Sequence, residues 1–164
     1  MMLFFRLLAG VFVVFTCSSW GFFAHRRINH VAIFTLPGAM AGFYENHIDF
    51  ITAHAVDADK RRYVDSLEAP RHFLDADHYG RSPFGKIPQN WYDAVKKYSV
   101  DTLNKYGTVP WVIQYHYYWL VKAFKAHDTT AILKTSANLG HYIADAYVPL
   151  HLTVNYDGQL SGQT

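Results

Sequence analysis

Residues 141–151 read His141-Tyr-Ile-Ala-Asp145-Ala-Tyr-Val-Pro149-Leu-His151. His141 and Asp145 are four apart, so on a helix they share a face about one turn apart. Pro149 cannot continue that helix, because its ring fixes φ and removes a backbone donor. His151 therefore emerges on the turn just beyond the helix end. The stretch reads as a helix C-terminus that presents an imidazole beside a carboxylate, followed by a second imidazole. Upstream, Asp128 is a suitable N-cap, which sets the last helix from there to about Tyr147. Taken alone, the His–Asp pair would equally suit a capped or salt-bridged surface face.

Working outward, helical signals dominate. Phe23, Ile28, Val31, Ala32 and Phe34 recur near helical spacing over residues 23–35, before Pro37. A second helix is expected over 39–55 and a third over 90–105, ending near Gly107. Pro110 then opens an aromatic helix from Trp111 to about Ala126. Residues 57–90 carry clusters of Asp, Pro, Gly and Ser and read as irregular loop. Loops of that length in compact domains are usually functional or disordered. There is no β alternation, internal repeat or linker, so the sequence predicts one all-α, multi-helix domain over residues 20–164.

The 164 residues are 51% hydrophobic, enough for a sizeable core. Net charge is +2 with ten histidines uncounted. That is too mild to argue for nucleic acid or an anionic membrane surface.

The first nineteen residues read as a signal peptide. Arg6 supplies the positive charge, and Leu7 to Phe15 is an apolar run too short to span a bilayer comfortably. Cys17 and Ser19 suit the small positions of a cleavage site, which would leave Trp20 as the mature N-terminus. An alternative is a lipoprotein acylated at Cys17, but Val14-Phe15-Thr16 is a poor match to the small residues wanted there. Export to the periplasm or the medium is expected, with no later membrane span and no stable protein partner. Cys17 is the only cysteine, so the mature chain would have none. A metal site must then use nitrogen and oxygen ligands, which suits zinc or another divalent ion.

Two more groups could contribute such ligands. One is Asp57-Ala-Asp59-Lys-Arg61-Arg62 with His72-Phe-Leu-Asp75-Ala-Asp77-His78, where imidazoles sit among carboxylates. It also reads as a solvated charged loop in which Arg61 and Arg62 pair with the acids. The other is Trp20-Gly-Phe-Phe-Ala-His25. A free α-amino group has a pKa of about 7.7–8.0 and gives up its proton to a metal cheaply.

In this order, the three groups resemble the superfamily of zinc-dependent phospholipases C and single-strand-specific nucleases. The N-terminal tryptophan with a histidine five residues later is similar to the nuclease branch. "HFLDAD" at 72–77 resembles the second histidine motif, and "HYIADAYVPLH" at 141–151 the central one. The resemblance runs from Trp20 to about Asn155.

That resemblance implies a helical domain around up to three zinc ions, hydrolysing phosphate diesters. His72, His141 and Asp145, with a loop aspartate, would hold one zinc. The amine and carbonyl of Trp20, with His25, would hold a second. Asp145 would bridge the two, and His151 would begin a third site. The loop aspartate is Asp59 or Asp57. Asp59 has the family-like preceding Ala and an Arg three residues on. Asp57 has the longer spacing to His72 found in the nuclease branch. Either would also orient the attacking water or accept its proton.

The family completes its third site with a further His and an acidic residue, and neither follows Asp157 here. Two zincs are therefore expected from this chain, which reads as lacking the C-terminal part of the family domain. An exported zinc-binding remnant without turnover is the alternative. Phospholipid and single-stranded nucleic acid both remain as substrates. Trp91, Trp111, Tyr115, Tyr117, Tyr118 and Trp119 read mostly as core and interface residues and do not choose between them.

Overall fold

A computed structural model describes residues 20–163, with only the backbone of Trp20. All regular structure among these residues is helical, as the sequence pattern predicts. The helices are α1 (Trp20–Ile33), α2 (Gly38–Glu45), α3 (Ile48–His54), α4 (Asp57–Arg61), α5 (Trp91–Tyr98), α6 (Val100–Tyr106), α7 (Val109–Lys125) and α8 (Thr129–Ala146). Single 3-10 turns cover Ala69–His72, Ala76–Tyr79, Pro83–Gly85 and Pro149–Leu152.

Local chemistry explains the boundaries of α8. Asp128 Oδ1 accepts from Ala131 N at 2.9 Å, satisfying one of the free donors of the first turn. At the other end, Val148 lies ahead of Pro149 with φ −86° and ψ 116°. The proline ring disfavours helical geometry at the residue before it. In α7, Pro110 sits in the first turn, where no backbone donor is needed.

Three expected spans differ. Residues 39–55 form two helices, α2 and α3, broken at Asn46 and His47. His47 leaves the helical region, and its Nδ1 bonds the Phe43 carbonyl at 2.8 Å. Residues 90–105 also split. Ser99 takes φ 69°, ending α5, and its hydroxyl accepts from Thr102 N to start α6. The supposed loop 57–90 opens with α4 and three 3-10 turns. Its short charged helix lacks the apolar stripe by which a helix is recognised in sequence.

Helices α7 and α8 fold back on each other and form the main packed pair; α8 also packs against α1 and α3. The first half of α8 sends Ile132, Leu133 and Ala137 into one apolar cluster with Ile33, Tyr44, Ile51 and Ala123. Its second half sends Tyr142 into another, with Leu74, Leu103, Val109 and Trp111. The aromatic stripe of α7 is a correction to the expectation of core residues. Trp111 is buried, but Tyr115, Tyr117, Tyr118 and Trp119 are exposed. Only one face of α7 meets α8, and the described residues leave the other open.

Two glycines permit close backbone approaches near the site. A Cβ on Gly140 would lie 2.2 Å from Asn29 Oδ1 of α1. Asn29 is buried and donates to the Ala137 carbonyl at 3.0 Å, so this small residue lets α1 lie directly on α8. Gly107, at φ 90°, would place a Cβ 2.1 Å from the Phe73 carbonyl oxygen, beside His72.

Candidate metal centre

Five of the expected ligands come together where α1, α4, the Ala69–His72 turn and α8 meet. His141 and Asp145 project from one face of α8, both buried. His72 comes from the turn and is also buried. His25 from α1 stacks on His141, with ring centroids 3.8 Å apart. Asp59 from α4 supplies the more open edge, with its side chain 17% exposed.

Donor atoms form two overlapping groups, His25/His141/Asp145 and Asp59/His72/His141. His72 Nδ1 is 2.9 Å from Asp145 Oδ2 and 3.1 Å from His141 Nε2. His141 Nε2 is 3.3 Å from Asp145 Oδ2. Asp59 Oδ1 stands 3.8 Å from both imidazole nitrogens. A tetrahedral zinc with bonds of about 2.0–2.1 Å needs donors about 3.3–3.4 Å apart. The His72, His141 and Asp145 atoms are therefore spaced close to that requirement, and Asp59 Oδ1 stands slightly further out. The second oxygens point to His25, whose Nε2 lies 3.2 Å from Asp145 Oδ1 and 4.0 Å from Asp59 Oδ2. Both carboxylates thus straddle two positions. These buried His and Asp groups could hold a metal ion.

Hydrogen bonds orient the rings. His141 Nδ1 lies 2.8 Å from the Ala55 carbonyl. A carbonyl can only accept, so Nδ1 carries a proton and Nε2 is the nitrogen turned toward the cluster. Two buried atoms of the group, His25 Nδ1 and His72 Nε2, have no hydrogen-bond partner among the described residues.

In the metal-free arrangement Asp145 serves as hub. Burial would push its carboxyl up, but hydrogen bonds with His141, His25 and His72 outweigh that and hold it well below the usual carboxylate range. Burial would lower His72, yet the hydrogen bond to Asp145 and the nearby carboxylate of Glu68 raise it above its ordinary value.

The other sequence candidates lie elsewhere. Asp57 is not in the cluster; its Oδ2 is 2.5 Å from His54 Nδ1 and its Oδ1 accepts from Lys60 at 3.1 Å. His151 borders the cluster, with Nδ1 3.9 Å from Asp145 Oδ1, and donates to the His72 carbonyl at 2.8 Å. Asp77 accepts from Thr153 and Val154, tying down the C-terminal segment. His78 stacks on Tyr106. The leader expected at 1–19 lies outside the described residues. So does the ligation expected of Trp20, which depends on an amine freed by cleavage there.

Sequence reasoning missed a second polar group behind His72. Glu68 is fully buried. Tyr142 donates to its Oε1, Arg61 donates to the same oxygen at 3.2 Å, and Arg71 donates to Oε2 at 2.6 Å. Arg61 Nη2 also reaches Asn138 Oδ1 and the Tyr142 hydroxyl. Burial would raise the Glu68 carboxyl, but contacts with His72, Tyr142 and Arg61 hold it well below the usual range. The available signal was the four-residue spacing from Glu68 to His72.

A cleft of about 920 Å³ opens beyond this group, lined by Arg61, Arg71, Trp111, His116, Asn138 and Tyr142 among others. None of the five clustered side chains lines it. His116, packed against Tyr142, is held neutral by burial and by Arg61, its pKa pushed down to about 4.

Comparison with protein-family models, curated proteins and solved structures finds no match to this chain.

Proposed function

We propose that this chain is an exported, zinc-dependent hydrolase of phosphate diesters, of the zinc phospholipase C and single-strand nuclease type. One observation carries the reading. His72, His141 and Asp145 converge with donor atoms 2.9–3.3 Å apart and Asp59 Oδ1 3.8 Å from both imidazoles, while Asp145 and Asp59 turn their second oxygens to His25. An all-nitrogen-and-oxygen donor set with two straddling carboxylates suits a pair of divalent ions, and zinc fits tetrahedral His/Asp ligation.

His72, His141, Asp145 and Asp59 would hold one zinc; His25 and the free oxygens of the two carboxylates would hold the other. When bound, such a pair supplies Lewis acidity toward a phosphoryl oxygen and toward an attacking water. The protein's own part is positioning. The Ala55 carbonyl keeps His141 Nε2 turned inward, and Asp145 keeps its charge between the two positions. Asp59, on the open edge, would orient the water or take its proton. Arg62, whose Nη1 is 4.0 Å from Asp59 Oδ1, brings a mostly exposed positive charge to the side from which a phosphate would approach.

The test is hydrolysis of single-stranded DNA, RNA and phosphatidylcholine side by side, with zinc and then with chelator. Zinc-dependent turnover of any one supports the reading and names the substrate class. Zinc binding with no turnover on all three would favour a binding domain instead.

A further inference from the structure

His72 differs from His141 in what stands behind its ring. For His141 the outward nitrogen meets a backbone carbonyl at hydrogen-bond distance. For His72 the outward nitrogen, Nε2, is buried without a hydrogen-bond partner. Among the described residues one carboxylate lies within 4.0 Å of it, Glu68 Oε1 at 3.6 Å. Glu68 cannot swing away easily, because Arg61, Arg71 and Tyr142 grip both of its oxygens.

We propose that Glu68 is a positioning residue of the metal centre, accepting a hydrogen bond from the Nε2–H of His72 so that Nδ1 is left as the ligating lone pair. The inference rests on the metal-site reading above and adds a role that the ligand set does not contain. Nδ1 is the nitrogen facing Asp145, His141 and Asp59. A neutral imidazole carries one proton, so a metal at Nδ1 requires that proton on Nε2. Buried there without an acceptor, the N–H would carry a desolvation penalty. Glu68 removes the penalty for this tautomer only; with the proton on Nδ1, the Nε2 lone pair would face a carboxylate. Carboxylates commonly orient ligating histidines in this way, and their loss typically lowers metal affinity by about 10- to 100-fold.

The test uses the full chain with ¹⁵N-labelled histidine, loaded with ¹¹³Cd, and reads which ring nitrogen of each histidine couples to the metal. Chelator competition gives affinity alongside. Expected in the native chain is coupling at His72 Nδ1 with a proton on Nε2, and the opposite pattern at His141. Glu68→Ala should weaken binding about 10- to 100-fold and scramble the His72 pattern alone, leaving His141 unchanged. Glu68→Gln, whose amide oxygen can still accept, should keep Nδ1 coordination and lose less affinity. If Glu68→Ala does not fold, the native chain and Glu68→Gln decide. Coordination through His72 Nε2 in either, or unchanged affinity in Glu68→Ala, overturns the inference while leaving the metal site standing. A native chain that takes up neither cadmium nor zinc overturns both.

Discussion

Two buried carboxylates, Asp145 and Glu68, sit on opposite sides of His72 and are compensated in different ways. Around Asp145 the neighbouring groups are imidazoles, His25, His72 and His141. Around Glu68 they are two guanidiniums and a tyrosine hydroxyl. An imidazolium near neutral pH can surrender its proton and offer a lone pair in its place. A guanidinium cannot, since it has no acceptor and stays charged. The first arrangement can exchange protons for a metal ion. The second can only hold a carboxylate still. One side of His72 is thus built for exchange and the other for rigidity.

The largest effect is expected from Asp145→Asn. Its two oxygens face two different sets of donors, so losing the charge weakens both positions at once. Zinc affinity should fall by more than the roughly 100-fold upper range of an outer-shell partner, and metal content after dialysis should approach zero. Metal content equal to the parent would remove Asp145 from its place as hub.

The exchange side should also reverse the pH dependence of stability. In the metal-free chain His72 is raised, so its contribution is complete below its ordinary 6.5 and lost as pH rises through the raised value. Asp145 and Glu68 are depressed, so theirs is present above the ordinary 3.8 and 4.5 and lost as pH falls toward the depressed values. The metal-free protein should therefore melt highest between about pH 4.5 and 6.5 and lose stability above that window. With zinc, ligand deprotonation favours binding, so stability should rise through the same upper range. Melting curves from pH 5 to 8, with zinc and with chelator, check this. Parallel curves would mean that protons and metal do not share the site.

A smaller contrast separates neighbouring aspartates. Asp59→Asn should weaken zinc binding by roughly 10-fold or more, whereas Asp57→Asn should leave it near the parent value. Competition titrations on both variants decide; equal losses would count against the geometry of α4.

The smallest effect on zinc binding belongs to the rigid side. Tyr142→Phe removes one hydrogen bond to Glu68 and should cost about 1.5–3 kcal/mol, as for a bond to a charged group. Denaturant unfolding measures it, and zinc stoichiometry should not change. Loss of zinc in this variant would show that the two sides of His72 are not separable.

Local spacing determined a good deal of this protein. The turn period puts His141 and Asp145 on one face, Asp128 and Pro149 bound the helix that carries them, and the lone Cys17 points to nitrogen and oxygen ligands. The long-range choices needed the tertiary structure. Asp57 and Asp59 are two residues apart, which on a helix turns them to nearly opposite sides. Sequence spacing left both open, and only the packing of α4 against α8 sends Asp59 inward and leaves Asp57 to His54 and Lys60. His25 joins the cluster because α1 crosses α8 at Gly140, a contact that no local pattern encodes. Glu68 looked like one more charge in a polar loop. Its burial follows from where Arg61, Arg71 and Tyr142 are brought together, and such compensation is set by distance in space, not along the chain.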